Sequence, residues 1–276
     1  MDLTLDGSPT GLIDVSCSGM DGPVDQECVV PAATPPSPIS PNRAELCALP
    51  LFRGLDEMLV ERLVSSCSGF QYRAGTFIVD EGDKVDGLLL VHRGLVDLVH
   101  VNGGHECGVL LLSTKDLLLP ASALFDEGSL VSARALITTK IVRFEASDVR
   151  AAMNESSAFA TNLLQAMSGQ WRMAVRNILD LSCRTAAQRL ASFLLRLVDF
   201  QLDAAAPILP IAKRHLAARL GMTAETLSRM LQVVADNGVH LRGRTIIAHD
   251  RARAERFSGP DPYPSGDERA FNVFAL

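Results

Sequence analysis

The chain has 276 residues, 47% of them hydrophobic and 21% charged, with a formal net charge of -6. That length suits about two domains, and no apolar run approaches the ~18 to 20 residues that cross a bilayer, because Arg93, Asp97, Lys115 and similar charges interrupt every candidate. The opening MDLTLDGSPT carries acid where a secretory leader would carry base, so the expectation is a soluble, cytoplasmic protein without a membrane partner.

The net charge hides an asymmetry. Before Glu45 six acidic residues face only Arg43, whereas from Arg184 to Arg256 twelve Lys/Arg face six Asp/Glu. A basic C-terminal segment on an acidic chain is the electrostatic footprint of a nucleic-acid-binding module. The cysteines, Cys17, Cys28, Cys47, Cys67, Cys107 and Cys183, lack the C-x-x-C or short Cys/His spacing of a tetrahedral metal site. They read as reduced thiols.

Residues 1–44, ending in PAATPPSPISPN, are rich in Pro, Ser, Gly and acid, and read as a disordered tail. A short helix is predicted at about Asp56 to Ser66. The runs GTFIVDEGD, DGLLLVHRGLVDLVHVNGG, HECGVLLLSTKDLLL and SLVSARALITTKIVRFEA are then divided by Gly, Asp and Asn, the pattern of a small antiparallel β-barrel. This barrel is assigned to 45–153.

A helix is predicted over 154–182. Leu163, Met167, Trp171, Ala174, Ile178 and Leu181 recur every three or four residues, an apolar stripe suited to the same helix of a second subunit. Cys183 follows it directly, at a position where oxidation would add bulk or charge near the basic module. Residues 183–256 then read as helices closed by a hairpin around Gly243, and 257–276 as an irregular tail. The fold class is α+β: barrel, long helix, winged helix-turn-helix.

The stretch KRHLAARLGMTAETLSRMLQ carries the chemistry. Ala217 lets a second helix approach, Gly221 can end the first helix in the left-handed conformation, and Thr223 can cap the second. Leu227 then returns to the core, giving the spacing of a helix-turn-helix. At about 100° per residue, Ser228, Arg229 and Gln232 fall within about 60° of Glu225, while Leu227, Met230, Leu231 and Val234 gather opposite. The second helix of such a unit places its N-terminal residues against base edges in the major groove, so Thr223, Ala224, Glu225, Ser228 and Arg229 are the candidate DNA-reading residues. Lys213 and Arg214, opening the first helix, are candidates for phosphate.

The chain resembles the CRP/FNR family of bacterial transcription regulators from about Leu49 to Asp250, through EGDKVDGLLLVHRGLVDL in the barrel and AMSGQWRMAVRNILDLSCRTAAQRLASFLL in the long helix and hinge. LGMTAETLSRML is most similar to the FNR branch, whose recognition helix carries Glu-x-x-Ser-Arg, matched by Glu225, Ser228 and Arg229. The resemblance implies a homodimer that binds double-stranded DNA and engages RNA polymerase, as an activator or a repressor, and is not an enzyme. It also implies that Glu225 accepts from a cytosine amine, Arg229 donates to a guanine and Ser228 touches a thymine or phosphate, in a site resembling TTGAT-N4-ATCAA.

No cofactor is expected. Where cyclic-AMP-binding members carry Gly-Glu and Arg-Ser, this chain has Leu119, Pro120 and Ala121, and Val131 before Ser132. A buried phosphate without its cation would be unpaired; only Arg134, on the same strand face as Ser132, offers a substitute. Cys17, Cys28 and Cys47 are too widely spaced for the family's iron–sulfur motif. Haem would have to draw on His92, His100, His105 or Cys107, of which a hairpin histidine is ordinarily just solvated. Two other readings are a cupin-like metalloenzyme using His100, His105 and Glu106, whose spacing departs from that motif, and a helix-turn-helix serving protein contacts alone, which would not need so many arginines.

Overall fold

The computed structural model describes residues 35–103, 105–201 and 206–259. Cys17, Cys28, most of the expected N-terminal tail and the C-terminal tail from residue 260 lie outside the described residues.

Part of the Pro-rich stretch is regular. Ser37–Ile39 forms β1, paired antiparallel with β2 (Ser68–Tyr72), Pro38 opposite Phe70. Proline is tolerated there because the strand lies at a sheet edge, where one row of ladder donors is not needed. Gly69 permits the approach: a β-carbon on it would lie 2.6 Å from the Ile39 carbonyl oxygen. Helix α1 (Arg43–Cys47), a 3-10 turn (Pro50–Phe52) and α2 (Glu57–Ser66) follow, α2 capped by Asp56, whose carboxylate accepts from the Met58 amide at 2.9 Å.

The expected antiparallel barrel is present as two sheets. One has the order β1-β2-β9-β4-β7 and the other β3-β8-β5-β6, with β3 at Phe77–Val79, β4 at Gly87–Arg93, β5 at Leu95–Asn102, β6 at His105–Ser113, β7 at Leu117–Leu118, β8 at Ser132–Ala135 and β9 at Thr139–Glu145. A short helix, α3 (Pro120–Phe125), precedes β8. Residues 88–91 of β4 and 110–112 of β6 are continuously apolar because both faces of the sheets are covered there. In β4, Leu89 and Val91 point into the barrel with Val96, Leu98, Leu110 and Ile141, while Leu88 and Leu90 face outward onto α1, α2 and the helices after β9. In the other sheet Val96, Leu98, Leu110 and Leu112 point inward, and Leu95 and Leu111 outward.

That outward face receives the C-terminal module. After α4 (Ala146–Glu155) and the long α5 (Ser157–Cys183) come α6 (Ala186–Phe200), α7 (Lys213–Arg219), α8 (Ala224–Asp236), the hairpin β10 (Val239–Arg242) and β11 (Thr245–Ala248), and α9 (Arg251–Ser258). Leu190, Leu194, Leu216, Leu220, Leu227, Val234 and Ile246 form a core that continues into Leu95 and Leu111 of the barrel. Helix α9 falls where the basic module was expected to run into an irregular tail. Its own apolar signal is little more than buried Ala254 and Phe257, and packing on α6 supplies what periodicity does not.

Candidate nucleic-acid interface

Local chemistry sets the helix-turn-helix. Gly221 adopts φ +61°, and the Met222 amide donates back to the Ala217 carbonyl at 3.0 Å, closing α7. The Thr223 hydroxyl accepts from the Thr226 amide at 3.2 Å and starts α8. With Leu227 and Val234 buried, α8 presents Thr223, Ala224, Glu225, Ser228, Arg229 and Gln232 to solvent. Ser228 donates to the Ala224 carbonyl at 3.1 Å, which leaves its oxygen free to accept, and Arg229 donates to the Thr226 hydroxyl at 3.3 Å.

Lys213 and Arg214 are exposed at the N-terminus of α7, where Ala212 supplies no side-chain cap and no acid occupies the first turn. Two cations at the positive end of a helix dipole cost a few tenths of a kcal/mol. Arg214 also reaches Nε2 of His215, at 3.2 Å. The wing adds cations that the spacing argument did not single out. Arg242 and Arg244 flank Gly243 at the hairpin tip, and Arg253 and Arg256 are exposed on α9. Their signal was the charge surplus, which carries no position.

The apolar stripe of α5 is divided between two environments. Leu163 is buried and Met167 half-buried against the chain's own barrel and helices. Trp171 is 69% exposed, Ile178 58% and Leu181 41%, while Ala174 is half-buried. Leu164, absent from the predicted stripe, is 63% exposed and continues it, since Leu164, Trp171 and Ile178 stand seven residues apart. Cys183 is exposed at the end of α5.

A second group of residues, which the sequence did not bring together, joins barrel to module. Arg134 of β8 donates through both terminal nitrogens to Glu106 of β6, at 2.6 and 2.7 Å. It also lies 3.0 Å from Nδ1 of His215 on α7 and 3.8 Å from Asp97 of β5. Asp97 in turn sits 3.5 Å from Arg219 of α7. Arg134 and Asp97 are buried. A guanidinium only donates and a neutral imidazole has one acceptor nitrogen, so His215, with Arg134 at Nδ1 and Arg214 3.2 Å from Nε2, accepts from one of the two. Burial and the neighbouring Arg134 and Arg214 hold its pKa down at about 4. Burial lifts Asp97 to about 6 against the pull of Arg219 and Arg134. The Arg134 hydrogen bonds keep Glu106 below the usual carboxylate range.

This arrangement settles which way Arg134 points. Ala133 faces the barrel interior, so Arg134 faces out, its guanidinium over the Phe77 ring and against α7. The position before Ser132 is Val131, packed against the apolar interior. Leu119 takes a left-handed φ of +49° where the cassette would have Gly-Glu, and Ser132 Oγ accepts from the Glu81 amide. The residues present do not fit a cyclic nucleotide phosphate.

Among the described residues the other candidate ligands do not converge either. His92 is buried against Glu45 at 3.1 Å, His100 pairs with Glu81 at 2.7 Å, and Glu106 is taken by Arg134. Among the described residues no group of three or more His, Cys, Asp or Glu is placed to hold a metal ion, and no helix is long and apolar enough to cross a membrane.

Comparison with known proteins agrees with this layout. Residues 70–156 match the cyclic nucleotide-binding domain and residues 188–257 the Crp-like helix-turn-helix domain. The cyclic AMP receptor protein of Thermus thermophilus is 33% identical over 192 residues, covering 69% of this chain and 87% of that protein. The transcriptional activator protein Anr of Pseudomonas protegens is 28% identical over 194 residues, covering 68% and 78%. FixK2 from Bradyrhizobium japonicum superposes with a TM-score of 0.62 at 25% identity, covering 71% of this chain and 98% of that one. The chain belongs to the CRP/FNR family of DNA-binding transcription regulators.

Proposed function

We propose that the protein is a homodimer that reads a TTGAT-like palindrome, in the manner of the FNR branch, and acts through RNA polymerase. The observation that carries the reading is α8: a helix with a fully apolar inner face that shows Glu225, Ser228, Arg229 and Gln232 together on its outer one. A surface helix needing only solubility has no reason to gather a carboxylate, a hydroxyl, a guanidinium and an amide over its first turns. Each has a base-edge partner: a carboxylate accepts from the cytosine amine, and a guanidinium donates in pairs to guanine. The exposed Leu164, Trp171 and Ile178 support a second copy on α5, which would bring two α8 helices to half-sites about one DNA turn apart.

A binding matrix of variants against single-base-pair changes in the half-site tests the base-reading assignment. Arg229→Ala is expected to cost about 1 to 3 kcal/mol on the matching palindrome and to relax preference at one base pair. Glu225→Ala should lose specificity at its base while keeping or gaining affinity for random duplex, because a carboxylate near phosphates repels them. Lys213→Ala and Arg214→Ala should weaken all sequences alike and flatten the salt dependence. Uniform loss for Arg229→Ala, indistinguishable from Lys213→Ala, would remove Arg229 from the base-reading face.

A further inference from the structure

The C-terminal module is tied to the rest of the chain in two ways. Covalently, α5 passes to α6 through Arg184 and Thr185, both extended, at φ -113°, ψ 144° and φ -66°, ψ 161°. Two non-helical residues between helices make a tight turn, and Asp180 of α5 steadies it, 3.0 Å from Arg184 and accepting from Arg196 of α6 at 2.7 Å. Non-covalently, α7 lies on the outer face of β6, with barrel residues Leu95 and Leu111 entering the core of the module. Apolar contact of that kind holds surfaces together but is non-directional.

Between the barrel and α7 the directional part is a charge cluster. Arg134 and Arg219 face Asp97 and Glu106, two cations and two anions, with His215 between Arg134 and Arg214. Arg134, Asp97 and the Arg219 side chain are less than a tenth exposed. Buried groups of this kind are costly to misalign, because a small rotation strands a charge away from both water and its partner, so they select one geometry among the many that apolar packing tolerates. Two of the five groups sit on α7, and α7 carries α8 through a turn whose Gly221 and Thr223 leave little play. The cluster therefore sets the direction of the reading helix.

We infer that Arg134 and Glu106, both barrel residues remote from α8, are positioning residues for DNA recognition. They hold α7 at one angle and thereby fix the half-site spacing that a dimer accepts. The inference rests on the dimeric, palindrome-reading function proposed above. It assigns a task to the outer face of the sheet that carries β6 and β8.

The test measures affinity for a single TTGAT half-site and for palindromes with the four-base spacer and with spacers one or two base pairs shorter or longer. Arg134→Met, Glu106→Gln and the double variant are compared with wild type, each checked for a cooperative unfolding transition. Wild type should show a sharp optimum. Arg134→Met should bind the single half-site within about twofold of wild type while its discrimination between spacers falls by about tenfold, and Glu106→Gln should do the same. If the two act through one contact, the double variant should be no worse than either single one. Retention of the wild-type spacer optimum in Arg134→Met overturns the positioning role. Equal loss on the half-site and on every palindrome also overturns it, since that is what general damage to the fold would give. If wild type itself binds no palindrome better than a half-site, the dimeric function falls first, and the inference with it.

Discussion

Gly108 of β6 lies against the backbone of Arg219 on α7: a β-carbon on that glycine would stand 2.9 Å from the Arg219 Cα and 3.3 Å from its amide nitrogen. Contact this close leaves no room for a side chain, and the obstructing atoms are main chain, which cannot rotate aside. Gly108→Val is therefore expected to push α7 off the barrel, destabilising the docked module by about 1 to 3 kcal/mol. Hydrogen exchange should rise in α7 and in the outer strand β6 while β4 and β9 stay protected. Unchanged protection in α7 would show that the helix shifts to absorb the methyl groups.

The cluster beside that contact gives a pH signature because two of its members are shifted in opposite directions. Asp97, raised to about 6 by burial, has a folded pKa above its ordinary value. Its contribution to stability is full below the unfolded pKa of about 4 and is lost as pH rises through about 6. His215, lowered to about 4 by burial and by Arg134 and Arg214, does the reverse: its contribution is full above the unfolded pKa of about 6.5 and is lost as pH falls toward about 4. Between pH 7 and pH 4.5 the two slopes oppose each other. Relative to wild type, Asp97→Asn should become more sensitive to acid and His215→Gln less so, read from urea midpoints at several pH values. Parallel shifts in both variants would show that the two groups do not titrate as their surroundings dictate.

Leu163 and Trp171 lie about two turns apart on α5 and should respond differently to the same substitution. Trp171→Glu with Ile178→Glu places like charges across the proposed two-fold axis without touching the chain's own core, so folded monomers are expected, with weak binding to the palindrome. Leu163→Glu buries a carboxylate in the barrel's helical cover and should cost several kcal/mol of folding stability. Sedimentation velocity and thermal unfolding separate the outcomes. A Trp171/Ile178 double variant that sediments as wild type would remove this helix from the interface.

Cyclic AMP is expected not to tighten DNA binding. Val131 provides no cation for the phosphate, and Arg134 is held outside the barrel by Glu106. Titration calorimetry with the nucleotide should give no saturable heat. A dissociation constant in the low micromolar range would mean that the interior rearranges to supply a cation.

The helix-turn-helix was legible from the sequence because its determinants are local. A left-handed Gly221, the Thr223 cap and the alternation of Leu227 and Val234 with Glu225 and Arg229 all lie within a few turns of chain. The barrel strands were legible for the same reason, as short apolar runs divided by glycines. Which residues of a stripe meet which neighbour was not. Leu163 and Leu164 are adjacent and equally apolar, and only the placement of the barrel decides that one is buried and the other exposed. Edge strand β1 and helix α9 likewise take their order from what they pack on, since neither has the local signal to form alone. The direction of Arg134 is the clearest case. Its partners Glu106 and His215 lie 28 and 81 residues away in sequence, and Asp97 and Arg219 are brought together across 122. Pairing at that range follows from strand register and from the docking of one domain on another. The sequence by itself determined that this chain carries a helix-turn-helix, whose turn and caps are local, and tertiary structure alone decided what that unit packs on, because those contacts join residues far apart in the chain.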